Sequence, residues 1–120
     1  MFDKNEFRFT KTQQMIVMAL WLDNDMTLAQ LSDRICTSNE QATRAVGQLV
    51  KMGVVTRNKN ENNRRTIDIS LTDEGKKAVK EAQTMLIGRM PESLQKLSES
   101  DARTVLECIE KVGSIFNKIL

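Results

Sequence analysis

The chain has 120 residues and a formal net charge of +2, and its apolar and charged fractions are 40% and 28%. These values fit one soluble domain with a single hydrophobic core. There is no histidine or tyrosine, and the two cysteines, Cys36 and Cys108, lie far apart. Ordinary zinc sites and histidine-based catalytic triads are thereby excluded. We expect no cofactor, no metal and no enzymatic activity.

Neither a membrane span nor a signal peptide is predicted. No apolar run reaches the length of a membrane helix, and the opening MFDKNEFRF lacks the apolar segment of a signal peptide. We therefore expect a cytoplasmic protein with no membrane contact.

Positive charge is concentrated in the middle of the chain. Residues 34–65 include seven basic and two acidic residues, a net +5, which leaves −3 for the remainder. A basic centre between more acidic ends is typical of a nucleic-acid-binding surface on an otherwise neutral scaffold.

The first confident helix is predicted to begin after Thr10, which can cap it. Its run MIVMALWL, residues 15–22, is too apolar for an exposed element, so we expect this helix to be largely buried. The acidic and amide residues at 23–25 end it.

A second, shorter helix starts with a capping box. In Thr27-Leu28-Ala29-Gln30, the threonine hydroxyl and the glutamine amide can each satisfy a free backbone N–H. Leu28, Leu31 and Ile35 form its apolar side. It is only about nine residues long, so it needs tertiary packing to persist.

A third helix follows the turn at Cys36-Thr37, with Thr37 or Ser38 as its cap and Gly53 after its end. Two short amphipathic helices joined by so tight a turn predict a helix-turn-helix. The apolar stripe of the third helix consists of Ala42, Ala45, Val46 and Leu49. Its other faces carry the candidate DNA-reading residues Ser38, Asn39, Gln41, Thr43, Arg44 and Gln48. Such side chains read base edges and phosphates, although a merely solvated polar face is the ordinary alternative.

A β-hairpin is predicted next. Residues 54–57 indicate one strand, the polar stretch 58–63 a turn, and residues 66–71 a second strand with Ile67, Ile69 and Leu71 on one face. The hairpin carries the basic residues Arg57, Lys59, Arg64 and Arg65. In isolation these would be solvated charges, but beside a reading helix they predict a wing that meets the DNA backbone or minor groove.

Two further helices complete the chain. Thr72 is expected to cap a helix that ends near Pro91, and Ser98 or Ser100 to begin a last helix about 30 Å long. The last helix has a wide apolar stripe that needs a partner, either the protein's own core or, as we expect, a second subunit. The candidate dimer residues are Leu106, Ile109, Val112, Ile115, Phe116, Ile119 and Leu120, after Ala102 and Val105.

The sulfur-containing residues leave alternatives. Cys36 lies at the helix-turn-helix turn, where oxidation would disturb the reading helix; the preferred interpretation of both cysteines is a small buried residue. The methionines are expected to fill the core. Alternatively, Met15, Met18, Met85 and Met90 line a cavity between the buried first helix and the long fifth helix, which would bind a small-molecule effector.

Together the helix pair and the wing resemble the multiple antibiotic resistance regulator (MarR) family of winged-helix transcription factors. The resemblance covers residues 9–75 and is carried by Phe9-Thr10-x-x-Gln13, by TLAQLS at 27–32, by Ala42-Thr43-Arg44 with Leu49, by Gly53-Val54-Val55 and by Leu71-Thr72-Asp73-Glu74-Gly75. It implies a homodimer built from N- and C-terminal helices that binds pseudo-palindromic operators. It also implies release of DNA when a ligand or an oxidant acts.

Two departures from the family pattern alter these expectations. The wing of the family carries an Asp-x-Arg element, where this chain has Asn63, Arg64 and Arg65, so the arginine loses a charge-assisted partner. Only eight residues precede Phe9, where the family has a full helix. We therefore expect the dimer to depend more on the last helix.

The sequence thus predicts a mainly α fold with a small β-hairpin (α+β), a winged helix-turn-helix with C-terminal dimerisation helices. The single domain spans residues 1–120, with the winged helix at 9–75 and the dimerisation region at 76–120 together with 1–9. The sequence predicts a dimeric transcriptional regulator that binds double-stranded DNA. It is expected to be a repressor that responds to a small-molecule effector. The alternative is a winged helix that docks an acidic protein, for which Glu40 in the reading helix is a small argument.

Overall fold

The computed structural model describes residues 8–59, 62 and 65–119. The helices are α1 (Lys11–Asp23), α2 (Leu28–Arg34), α3 (Asn39–Lys51), α4 (Asp73–Gly88), α5 (Glu92–Gln95) and α6 (Glu99–Ile119). The strands are β1 (Met26–Thr27), β2 (Val55–Lys59) and β3 (Ile67–Leu71). The fold is therefore mainly helical with a small antiparallel sheet, and the predicted fold class is confirmed.

Capping boxes start both α1 and α2. The backbone N–H of Thr10 donates to the Gln13 side chain at 2.9 Å, and Gln13 N–H donates to the Thr10 hydroxyl at 3.2 Å. Thr27 and Gln30 exchange the same pair of bonds at 2.9 and 3.1 Å. The predicted start of α2 is confirmed, although the helix has seven residues. At the other end of α1, Asn24 takes a left-handed φ of 60° and ends the helix.

The sheet has the strand order β1-β3-β2, and all pairs are antiparallel. The hairpin of β2 and β3 was predicted, whereas β1 was not, because two residues give no recognisable alternation. Ile67, Ile69 and Leu71 alternate along β3 and share one of its faces, as predicted. Ile69 and Leu71 are buried, at 2% and 8% exposed, whereas Ile67 is 49% exposed. Ile67 pairs with Lys59 near the tip of the hairpin, beyond the reach of the core.

The core lies where α1, α2, α3 and the sheet meet. Its fully buried members include Ile16, Leu20, Leu31, Ile35 and Leu49. The prediction of a largely buried first helix is thereby confirmed, as is the apolar stripe of α3, whose four residues are at most 5% exposed. Burying that stripe fixes which side of α3 faces outward.

The second half of the chain begins at the predicted positions. The Thr72 hydroxyl accepts from the backbone N–H of Gly75 at 3.0 Å and caps α4. The Ser98 hydroxyl accepts from the N–H of Asp101 at 3.0 Å and caps α6. Pro91 lies between them as the N-cap of the short helix α5. No helix among the described residues is long and apolar enough to cross a membrane.

Candidate nucleic-acid interface

The turn between α2 and α3 is held by the backbone. Cys36 has a left-handed φ of 56°, and the N–H of Thr37 donates to the carbonyl of Ser32 at 3.0 Å. Ser38 then caps α3 by accepting from the N–H of Gln41 at 3.1 Å. The cap is Ser38, one of the two residues predicted for it, and α3 begins directly behind this rigid turn.

The outward side of α3 lies opposite its buried stripe. One face of the helix carries four residues that are spaced four, three and four positions apart: Glu40, Arg44, Gly47 and Lys51. Glu40, Arg44 and Lys51 are exposed and Gly47 is half-buried. Of these four residues, Arg44 was predicted as a DNA contact; Gly47 and Lys51 were not, although the helical period would have placed them on this face.

Most of the predicted reading side chains of α3 already have partners within the protein. Asn39 accepts from the hydroxyl of Ser32, and the side chains of Thr37 and Gln41 bond to each other. The Thr43 hydroxyl donates to the carbonyl of Asn39 at 2.6 Å. These bonds orient the side chains, and each must be kept, shared or exchanged when a ligand binds.

Gln48 has a partner on another helix. Gln13 Nε2 donates to Gln48 Oε1 at 2.6 Å, which joins the capping box of α1 to the C-terminal half of α3. Because the two residues are 35 positions apart, no local pattern in the sequence could indicate this contact. The predicted DNA-reading residue Gln48 therefore also fixes α3 to the scaffold.

Arg44 differs from its neighbours. Within the described part of the chain, its guanidinium forms neither an ion pair nor a hydrogen bond with another residue. One turn further along, Arg57 of β2 reaches the same side of the helix. Its Nη2 lies 3.6 Å from the position that a Cβ on Gly47 would occupy. The structure thus brings two arginines from different elements to the outward side of α3.

The remaining wing residues lie toward the hairpin tip. Lys59 ends β2 and is exposed, and Arg65, also exposed, precedes β3. Arg64 and Asn63, which were part of the predicted wing contact, lie outside the described residues. The described basic residues of the hairpin therefore run from Arg57 beside α3 to Lys59 and Arg65 at its outer end.

The long helix α6 has two different sides. Along one side Val105, Ile109, Val112, Phe116 and Ile119 follow a four-three-four-three spacing, and each is between 42% and 71% exposed, as is Ile115. Among the other predicted dimer residues, Leu106 is half-buried, and Leu120 lies outside the described residues. The exposed apolar stripe is the candidate dimer face.

The opposite side of α6 is polar and contacts the helix-turn-helix. Buried Glu110 forms an ion pair with Arg34 of α2, which also pairs with Asp23 of α1. Burial alone would lower the pKa of the Arg34 guanidinium, but the hydrogen bonds and charges of Glu110 and Asp23 outweigh it and raise the pKa above its ordinary value. The second carboxylate oxygen of Glu110, Oε2, is buried without a hydrogen-bond partner among the described residues.

Neither cysteine is fully buried. Cys36 is half-buried and Cys108 is exposed, and both thiols are free. The expectation of a small buried residue is wrong for Cys108, because its position on α6 lies at the edge of the exposed apolar stripe rather than on the docked side. Cys36 borders a cavity of about 490 Å³ with Ser32, Thr37 and Lys118.

The four methionines occupy different surroundings. Met15 packs on Gly113 of α6 and accepts a 3.2 Å hydrogen bond from Asn117. Met85 is 42% exposed and lies in a groove of about 330 Å³ with residues of its own helix, α4. Met18 and Met90 are half-buried. The effector pocket predicted from these four residues therefore stays a prediction.

Comparison with known proteins agrees with this architecture. The fold is similar to that of a MarR mutant from E. coli (24% identity, TM-score 0.61, covering 87% of this chain and 77% of that one). It is also similar to a MarR family protein from Bacillus stearothermophilus (19%, TM-score 0.65, 92% and 76%). A third similar structure is Streptococcus pneumoniae FabT in complex with DNA (14%, TM-score 0.64, 93% and 78%).

A search of curated protein sequences gave no match. The model of the MarR family matches residues 9–67, which include the helix-turn-helix and the first strand of the hairpin. The match and the winged-helix fold agree with the resemblance found in the sequence. The winged-helix region of the chain, residues 9–67, belongs to the MarR family.

Proposed function

We propose that the protein is a dimeric regulator that binds operator DNA sequence-specifically and represses transcription from pseudo-palindromic sites. The observation that carries this proposal is Arg44, an exposed guanidinium on the outward side of α3 with no partner among the described residues. Such a group is available to a guanine edge or to a phosphate. FabT, whose fold is similar, was solved in complex with DNA, and AbfR bound to DNA.

The proposed dimer is supported by the exposed stripe of α6. The four-three-four-three spacing of Val105, Ile109, Val112, Phe116 and Ile119 is that of a coiled-coil seam, which buries apolar residues against a second helix. A two-fold symmetric dimer would present two copies of α3 to two half-sites of a palindrome.

A second candidate is a winged helix that docks an acidic protein. It is favoured by Glu40, an exposed carboxylate in the first turn of α3 that would repel phosphate. The same carboxylate can accept from the amino group of cytosine, so it is compatible with DNA binding as well.

The experiment that tests the proposal is selection of genomic fragments by the purified protein, followed by titration of a selected duplex. We expect Arg44→Ala to weaken binding by about 1 to 3 kcal/mol and the affinity of the wild type to fall steeply with salt. Arg89→Ala, an exposed arginine outside the winged helix, is the matched control and should bind normally.

Two outcomes would contradict parts of the proposal. If no fragment is retained at low salt while an acidic protein co-purifies, the function is protein docking. If a selected duplex binds Arg44→Ala as tightly as the wild type, Arg44 does not belong to the interface.

The proposed response to an effector is tested separately. A small molecule that binds the folded state raises the melting temperature, and above Kd the stabilisation grows with the logarithm of its concentration. Apolar and aromatic acids are the first compounds to try, because the predicted pocket is lined by methionines.

A further inference from the structure

Gly47 occupies the middle of a helix without any requirement from the core. A glycine in a helix interior is destabilising relative to alanine. Apart from the chain neighbours of Gly47 and the backbone of α3 itself, the one described atom within 4 Å of a Cβ built on Gly47 is Nη2 of Arg57, at 3.6 Å. That distance is an ordinary contact, so a methyl group would fit. The core therefore does not explain the glycine, and its surroundings point to Arg57.

The register of the sheet explains how Arg57 reaches α3. Arg57 is directly opposite Ile69, and Val55 is directly opposite Leu71. Residues directly opposite in an antiparallel pair lie on the same face of the sheet, and Val55, Ile69 and Leu71 are all buried. Arg57 thus lies on the same side of β2 as Val55, one step further along, and its exposed side chain extends over α3 at Gly47.

The charges around Gly47 on the outward side of α3 are mainly positive. Arg44 is one turn before Gly47 and Lys51 one turn after it, and the single acidic residue on this side, Glu40, is a turn further from Gly47 than Arg44. Among the described residues, neither Arg44 nor Arg57 pairs with a carboxylate. The two guanidiniums therefore remain available to an external acceptor.

We propose that Arg57 belongs to the DNA-reading surface of α3, and that Gly47 is the positioning residue that leaves room for its guanidinium there. This inference rests on the proposed function in DNA binding. It replaces the expectation that Arg57 contacts only the backbone or the minor groove through the wing. Along the axis of α3, Gly47 is about 4.5 Å from Arg44. Successive base pairs of DNA are about 3.4 Å apart. Arg57 is thus placed to read a base within one or two steps of the base that Arg44 contacts.

The test compares a selected operator duplex with a random duplex of the same length at one salt concentration. We expect Arg57→Ala to weaken operator binding about tenfold or more and random binding less, because a bidentate arginine–guanine contact discriminates guanine from the other bases. Gly47→Leu should cause a similar loss by displacing the guanidinium. Adding Gly47→Leu to Arg57→Ala should cause no further loss.

Gly88→Leu, at an exposed glycine of α4 with nothing within 4 Å of its Cβ position, is the matched control and should bind the operator normally. Leucine is a strong helix former and Gly47 is half-buried, so Gly47→Leu should fold, which circular dichroism checks. The inference is overturned if Arg57→Ala weakens both duplexes equally and lowers the salt dependence by about one counterion, since Arg57 would then be a phosphate contact.

Two further results would also contradict it. If the losses of Gly47→Leu and Arg57→Ala add up in the double variant, the leucine obstructs DNA directly and Gly47 does not act through Arg57. If the wild type itself binds operator and random duplexes equally, the proposed function is wrong, and the inference with it. The wild-type comparison is made first, so the two failures are distinguishable.

Discussion

Asn117 of α6 donates a 2.6 Å hydrogen bond from Nδ2 to the backbone carbonyl of Ile35, the C-cap residue of α2. One turn earlier, the Ser114 hydroxyl donates to the carbonyl of Arg34 at 2.8 Å. The last carbonyls of a helix have no partner within it, so α6 supplies partners for α2. Because the turn to α3 follows at once, the candidate dimer helix is bonded to the segment that aims the candidate reading helix.

Asn117→Ala should lower the free energy of unfolding by about 1 to 3 kcal/mol, because the partly buried carbonyl of Ile35 loses its donor. Urea denaturation measures the change. Lys118→Ala, the exposed neighbour on the same helix, is the control and should stay close to the wild type. Equal effects of the two variants would show that the bond to Ile35 does not stabilise the fold.

Arg34→Met should be strongly destabilising, because it leaves the buried carboxylate of Glu110 without a countercharge. Breaking a fully buried pair costs about 3 to 5 kcal/mol, and Arg34 is 30% exposed, so we expect a value at or below the lower end. Adding Glu110→Leu should recover most of the loss. If the double variant is no more stable than Arg34→Met, the unpaired charge is not the cause.

The titration of Arg34 in this ion pair should not make the free energy of unfolding depend on pH in the neutral range. Its pKa is raised in the folded state, so its contribution is fully present below the unfolded pKa and is lost only as the pH rises through the still higher folded value. Denaturation of Arg34→Lys and of the wild type at several neutral pH values should therefore give a constant difference. A difference that changes steadily with pH would contradict this.

Ile109→Asp should convert the proposed dimer to monomers without unfolding the chain, because Ile109 is 50% exposed within one subunit and would be buried only between subunits. Sedimentation velocity measures the mass, and circular dichroism checks the helix content. Lys111→Asp, which is exposed and lies off the apolar stripe, is the control. A wild type that is already monomeric at high concentration would contradict the proposed dimer.

Gly75→Ala should destabilise the fold by about 1 to 3 kcal/mol or more, because the new Cβ would lie 2.2 Å from the carbonyl oxygen of Val54. Gly88→Ala is the matched control on the same helix, since nothing lies within 4 Å of its Cβ position. Thermal unfolding of both variants checks the prediction. Comparable melting temperatures would mean that the backbone at Val54 yields easily.

Local chemistry made much of the fold predictable. Each cap signal is contained in four consecutive residues, from Thr27 to Gln30 and from Thr72 to Gly75. The structure has a helix starting at each of them. The strand alternation was readable as well, but a period of two cannot tell where a hairpin leaves the core. For that reason the alternation placed Ile67 and Ile69 on one face but could not tell that Ile67 is exposed and Ile69 buried.

The candidate site was less predictable because it depends on contacts between distant residues. The amide of Gln48 looked the same in the sequence as that of Gln41, yet one bonds to Gln13 on α1 and the other to Thr37 in the turn. Helical periodicity predicted the apolar stripe of α6. It could not predict that the polar side, with Glu110, would be the one docked on the same subunit.

One hydroxyl holds three elements together. Thr72 Oγ donates to the carbonyl of Gly53 at 2.6 Å, lies 3.1 Å from that of Val54, and accepts from Gly75 N–H. The end of α3, the base of the hairpin and the start of α4 therefore move together. In the proposed dimer, this junction would resist bending when the half-sites of an operator are differently separated. We expect tolerance to spacing to come from the angle between the two copies of α6 instead.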